Sequence, residues 1–298
     1  MISFPNCKIN LGLKVLRRRE DGYHDLETVF YPLPLKDVLE TIRSESLQFT
    51  ATGLPIPGDP ATNLCCKAWY LLKKDFPALP PFHIYLHKHI PMGAGLGGGS
   101  SDGAAMLQLL NRQGQLQLGT ERLLQYALEL GSDCPFFILN QPCLGGGRGE
   151  VLQPVGLDLS GYSFVIVHPG IHIGTAWAFS QVEPVEGGAG PDATRAKDRP
   201  DRERRVGEPD SQGGWEKPIA EVIRQPIGTW AAELVNDFEA PVLREYPALR
   251  SVKEQLYGEG ALYASMTGSG SSFFGIFAKG AQPVFRFDPD FHVSRVDG

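Results

Sequence analysis

The sequence predicts a fold that mixes β-strands with α-helices, and three observations carry that expectation. Apolar and polar residues alternate through Cys7–Val15, and apolar residues recur at helical spacing in 63–72, 101–111 and 120–130. Short β-branched or aromatic runs return at 162–168, 261–266 and 273–278. The chain has 298 residues, 42% of them hydrophobic, which suffices for one large domain or two ordinary ones.

In the first strand Cys7, Ile9, Leu11, Leu13 and Val15 share one face. Lys8 and Asn10 therefore point together on the other face, away from the core. An Asp21–Gly22 turn precedes Tyr23 and His24, and 27–33 reads as the next strand, closed by Pro32 and Pro34. Leu64, Ala68, Leu71 and Leu72 mark a helix over 63–72, and a short strand at 82–87 leads into a run of glycines. Ser101 and Asp102 are cap candidates for a helix reaching Asn111, and Thr120 for one stopped by Gly131. Residues 145–147 read as a turn or a close backbone approach. Further helices are expected near 175–179, 230–236 and 241–255, and 162–168 is apolar enough for a central strand.

Residues 185–214 are rich in Gly, Pro and charge, and poor in large apolar side chains. Such a stretch cannot build a core, so a flexible surface insertion is expected there. A boundary near Gly149–Gly161 divides the chain into 1–155 and 156–298.

The formal net charge of -6 argues against a broad basic surface for nucleic acid. Cys7, Cys65, Cys66, Cys134 and Cys143 form neither a disulfide framework nor a zinc pattern, so reduced buried thiols are expected. The first residues lack a basic region followed by an apolar run, and no stretch approaches the roughly 20 apolar residues of a membrane span. A soluble cytoplasmic protein, with no nucleic-acid or membrane partner, is the expectation.

The strongest chemical signal is Pro91–Ala105, which holds Gly93, Gly95, Gly97, Gly98 and Gly99 ahead of Ser100 and Ser101. Glycines let the backbone approach a bound group, and a following helix adds unpaired N–H groups and its dipole to the same place. A polyphosphate suits such a cradle, and the serines offer hydroxyls to a phosphate oxygen or a magnesium ion. No lysine precedes the serines as in a Walker A loop, and the glycine spacing is wrong for a dinucleotide fingerprint.

Phosphoryl transfer also needs an oriented hydroxyl and charge stabilisation. Asp133 is a candidate proton acceptor, and Lys8 a candidate cation to keep it ionised. Taken alone, Lys8 reads as a strand-edge lysine and Asp133 as a helix-end cap. Thr267–Ser272, a Gly–Ser turn between two apolar strands, is placed to wall the same site.

Asn6–Leu11, Pro91–Ala105 and Thr267–Ser272, in that order, resemble the motifs of the GHMP kinases. Within that family, Lys8–Leu11, Arg19–His24 with Leu26 and Phe30, and Leu130–Phe137 are similar to the branch acting on a cytidine-diphosphate-linked methylerythritol. The resemblance implies two α+β domains, the first like domain 2 of ribosomal protein S5 and the second ferredoxin-like, with the site in the cleft between them. It implies ATP-dependent phosphorylation of the 2-hydroxyl of 4-diphosphocytidyl-2-C-methyl-D-erythritol in the non-mevalonate isoprenoid route, with ATP and Mg2+ required. Asp133 becomes the general base and Lys8 its partner. Asn63 and Lys88 are placed at adenine and ribose, and Pro91, Gly93, Gly95, Leu96, Gly97, Gly98, Gly99, Ser100 and Ser101 at the phosphates. Asn10 is assigned to the methylerythritol, Tyr23 and Phe179 to the two faces of cytosine, and His24 to its edge. The magnesium ligands stay unassigned, and a monomer or weak homodimer is expected. Gly103, inside the helix after the loop, and Gly174 depart from the family pattern.

Overall fold

The first long hairpin sets the architecture. In the computed structural model, which describes residues 1–182 and 217–298, β1 (Ile2–Ser3) precedes a hairpin of β2 (Asn6–Arg18) and β3 (His24–Lys36). The insertion expected at 185–214 lies outside the described residues. β4 (Val38–Arg43), β5 (Gln48–Gly53), α1 (Leu64–Asp75) and β6 (Phe82–Lys88) follow. Then come α2 (Gly98–Gln113), α3 (Thr120–Leu130), α4 (Cys134–Leu139), β7 (Cys143–Gly146) and β8 (Val151–Pro154). The rest of the chain supplies β9 (Tyr162–His168), α5 (Thr175–Ser180), α6 (Ile219–Val222), α7 (Trp230–Glu233), α8 (Glu239–Glu245) and α9 (Arg250–Gly258). It ends in β10 (Tyr263–Met266), β11 (Phe273–Ala278) and β12 (His292–Asp297).

The strands form three four-stranded sheets, ordered β1-β4-β6-β5, β2-β3-β7-β8 and β10-β11-β9-β12. α1, α2 and α3 bury their apolar stripes on the first sheet, through Trp69, Leu72, Met106 and Tyr126 against Phe82, Ile84 and Leu86. α8 and α9 cover the third sheet, through Val242, Val252 and Leu256. Between the second and third sheets, Ile9, Leu11 and Val29 pack with Phe164, Ile166, Phe274 and Ile276. Residues distant in sequence therefore share one core, and that shared core fixes β2 beside the later loops. No helix among the described residues is long and apolar enough to cross a membrane.

Several local expectations are corrected. Both faces of β2 are buried: Cys7 and Ile9 are inaccessible, and Lys8 and Asn10 are only 3% and 2% exposed. The alternation is real, but the polar face looks into the junction of the two halves rather than into water. Pro32 and Pro34 do not end β3, which runs on to Lys36. β3 pairs with β7 only through Thr28–Phe30, so beyond Phe30 one edge is open and tolerates a missing N–H. α2 starts at Gly98, so Ser101 and Asp102 lie inside it, and its N-cap is Gly97 in the left-handed region. Gly119, not Thr120, caps α3. The helix expected over 230–236 stops at Glu233, and that over 241–255 is broken at Pro247. Gly103 has a packing reason: a Cβ there would stand 3.0 Å from the Leu64 Cβ of α1. All five cysteines are buried free thiols.

Candidate active site

The glycine run forms a cradle whose carbonyls and amides face opposite ways. Gly93, Gly95 and Gly97 adopt φ of 64, 76 and 70°, a region that side chains disfavour. The Leu96 carbonyl accepts from the Lys8 amide at 3.0 Å, and the Gly95 carbonyl from Lys8 Nζ at 2.9 Å and Thr267 Oγ1 at 3.2 Å. The Ala94 carbonyl accepts from the Ser272 amide at 3.3 Å. In trans peptides this turns the following N–H groups the other way. Among the described residues, no amide from Gly95 to Ser100 donates a loop or turn hydrogen bond to a protein group, and the Ser101 amide bonds the Gly97 carbonyl at 2.9 Å. A Cβ on Gly95 would collide with the Thr267 carbonyl oxygen, and one on Gly97 would meet Phe137 at 2.8 Å. The late loop, whose signal alone was weak, is thus packed directly against the cradle. Asn236, which the sequence does not single out, fixes it by donating through Nδ2 to the Met266 and Gly268 carbonyls, each at 2.9 Å.

Lys8 and Asp133 do meet. Lys8 Nζ lies 3.6 Å from Asp133 Oδ2, with side chains 4% and 36% exposed. The ammonium also donates to Asn10 Oδ1 at 2.6 Å and sits 5.4 Å from the Phe30 ring centre. Burial pushes the Lys8 pKa down, and the Asp133 carboxylate opposes that shift. Asp133 is the N-cap residue of α4 but makes no capping bond, so its carboxylate is open on one side and braced by a fixed cation on the other.

Asn10 is buried and bonded to protein groups on both sides of its amide. Its Oδ1 accepts a hydrogen bond from Lys8 Nζ and its Nδ2 donates to Thr28 Oγ1 at 3.0 Å, while its backbone N–H donates to Thr267 Oγ1 at 3.0 Å. It orients Lys8 from a buried position.

Tyr23, His24 and Phe179 gather at the other end of β3. Tyr23 is 54% exposed, and the Arg148 guanidinium lies 4.7 Å from its ring centre. His24 stacks on Phe179 with centres 4.7 Å apart and planes 14° apart. His24 thus covers one face of the Phe179 ring, and the Phe238 ring meets Phe179 edge-on with centres 4.8 Å apart. Burial, then Arg18, push the His24 pKa down and favour the neutral ring. Arg148 also went unrecognised, because nothing in the run Gly145–Glu150 marks its one cation as part of a site.

On the far side of the cradle lies a cavity of about 270 Å³, lined in part by Phe49, Ile56, Asn63, Met92 and Gly99. Asn63 Oδ1 itself caps α1 through the Cys65 amide at 2.9 Å. Lys88 does not reach this cavity: its side chain is wholly buried and its ammonium is bonded to Asp37 and Asp102. No group of three or more His, Cys, Asp or Glu converges among the described residues. Ser101 Oγ, buried in the first turn of α2, has no partner. One orphaned hydroxyl beside phosphate oxygens and water is compatible with magnesium, a hard cation that takes oxygen ligands and keeps several waters.

The GHMP kinases N terminal domain family matches residues 63–141, and the GHMP kinases C terminal family matches 219–286. A 4-diphosphocytidyl-2-C-methyl-D-erythritol kinase of Bacteroides fragilis (strain YCH46) is 47% identical over 282 residues, covering 93% of this chain and 92% of its own length. A protein of the same name from Cytophaga hutchinsonii is 46% identical over 278 residues, covering 93% and 92%. Among solved structures, a 4-(cytidine 5'-diphospho)-2C-methyl-D-erythritol kinase superposes with a TM-score of 0.73 at 31% identity, over 93% of this chain and 90% of that one. A mevalonate kinase shares the fold, at a TM-score of 0.69 and 12% identity over 99% of this chain and 98% of its own. The α+β expectation holds, and the chain belongs to the GHMP kinase family, alongside the 4-diphosphocytidyl-2-C-methyl-D-erythritol kinases.

Proposed function

We propose that this chain transfers the γ-phosphoryl group of ATP to the 2-hydroxyl of 4-diphosphocytidyl-2-C-methyl-D-erythritol, a step of non-mevalonate isoprenoid synthesis, with Asp133 as general base. The observation that carries the residue assignment is the open Asp133 carboxylate 3.6 Å from the buried Lys8 ammonium. It stands beside a loop of unbonded amides, with an aromatic group at the end of the same hairpin. The unbonded amides from Gly95 to Ser100 suit the phosphates, and the cavity at Asn63 and Met92 suits the adenosine. Asp133 takes the proton of the attacking hydroxyl, and Lys8 stabilises the charge that develops between donor and acceptor. Ser101 would help to hold magnesium, bound mostly by phosphate oxygens and water, and the ion supplies charge neutralisation of the phosphates when bound. Tyr23, with His24 and Phe179, receives the cytosine, and no covalent enzyme intermediate is required. We place the boundary between the two domains between β8 and β9, at 155/156.

The test is a phosphotransfer assay of the purified protein with MgATP. The cytidine-linked polyol should be phosphorylated, cytidine diphosphate should compete with it, and homoserine and mevalonate should neither react nor compete. Turnover of homoserine or mevalonate at comparable rates would overturn the substrate assignment and leave the kinase chemistry standing.

A further inference from the structure

Asp37, Lys88 and Asp102 form a buried ion cluster that no step of the transfer uses. Lys88 Nζ donates to Asp37 Oδ2 and, at 2.8 Å, to Asp102 Oδ2, and the three side chains are at most 2% exposed. The other Asp37 oxygen accepts from the amides of His89 at 2.6 Å and Ile90 at 2.8 Å, the two residues ahead of Pro91. Asp102 stands in α2, just beyond the other end of the cradle. One ammonium thus joins carboxylates fixed at both ends of the glycine run. It also lies directly beneath it, since a Cβ on Gly98 would come within 3.0 Å of Nζ.

Stability alone does not account for this arrangement. A buried ion cluster returns little over an apolar core of the same shape, because its desolvation offsets its attraction. Asp102 Oδ1 is moreover buried without a partner. What the cluster supplies is a fixed distance between the two ends of a loop made mostly of glycine, the residue with the most freedom to lose.

We propose that the Asp37–Lys88–Asp102 cluster is a positioning element for the nucleotide, pinning both ends of residues 91–97 so that the cradle amides hold their spacing before a polyphosphate arrives. This rests on the reading that the cradle binds the phosphates of ATP. A pre-ordered loop loses less freedom on binding, so loosening it weakens the hold on phosphate and leaves the cytidine side untouched.

The experiment uses the full chain with Lys88→Met and Asp102→Asn, the second keeping the side-chain shape and an acceptor for Lys88. Lys88→Met should raise KM for MgATP about tenfold and Asp102→Asn about threefold, with kcat changed by less than either. By calorimetry, MgADP should lose more affinity than adenosine, and cytidine diphosphate none. Equal losses for adenosine, MgADP and cytidine diphosphate would mean general loosening and would overturn the proposal. So would a wild-type KM for MgATP in Asp102→Asn, which decides alone if Lys88→Met does not fold. If the wild type bound no MgATP at all, the phosphate reading of the cradle would fail first, and the proposal with it.

Discussion

At the start of α4, Asp133 holds a position where a carboxylate ordinarily bonds a helix amide, and it leaves that bond unmade. The side chain is thereby free for a proton, while Lys8, pinned by Asn10 and the Gly95 carbonyl, cannot follow it into the cleft. Asp133→Asn should lower kcat by about 10²–10⁴, the usual worth of a general base, with KM for MgATP nearly unchanged in steady-state kinetics. A kcat within a few-fold of wild type would remove Asp133 from the base role. Asp102 gives a second prediction. Burial pushes its carboxyl up from 3.8 to about 7, with Lys88 opposing and Asp37 reinforcing the shift. The folded state therefore holds a proton that the unfolded chain releases. That contribution is fully present below 3.8 and is lost as the pH rises to about 7. Thermal melts of Asp102→Asn should show a flatter dependence than wild type across this window, and identical slopes would contradict the assignment.

The glycines of the cradle are not equivalent at the scale of the element. Gly95 has φ of 76° and no room for a Cβ against the Thr267 carbonyl, whereas a Cβ on Gly99 would meet only Met92 Cε, at 3.6 Å. Gly95→Ala should cost about 1–3 kcal/mol in denaturant unfolding and abolish nucleotide binding. Gly99→Ala should leave stability within about 0.5 kcal/mol of wild type, since it stands in a helix that alanine favours and clashes with nothing. Equal effects of the two would mean that the cradle does not have this geometry. The glycine run was legible in the sequence because closely spaced glycines before a helix have few other uses. Which glycine carries which constraint was not, because each clash partner, Thr267, Phe137 or Lys88, lies elsewhere in the chain.

Across the whole molecule, the two halves meet on β2. Its outer edge is bonded by the cradle at Lys8, by Thr267 at Asn10 and by the Val235 carbonyl at Leu13. Asn236 ties the third of these to the late loop, and its Oδ1 accepts from the Phe238 amide at 3.0 Å. Asn236→Ala removes three buried bonds and should destabilise the protein by about 2–3 kcal/mol. It should also raise KM for MgATP by releasing Thr267 from the cradle. A melting temperature equal to wild type would show that the late loop holds itself.

The sequence by itself determined the strand and helix types, the glycine loop ahead of α2 and the family. Each is written in local periodicity or in a short run whose chemistry has few alternatives. Only the tertiary structure decided that Lys8 and Asn10 are buried, that Lys88 is buried against Asp37 and Asp102, and that Arg148 stands over Tyr23. Those outcomes depend on charges and surfaces brought together from distant segments. A lysine carries the same side chain whether its partner is water, a nucleotide or two buried aspartates.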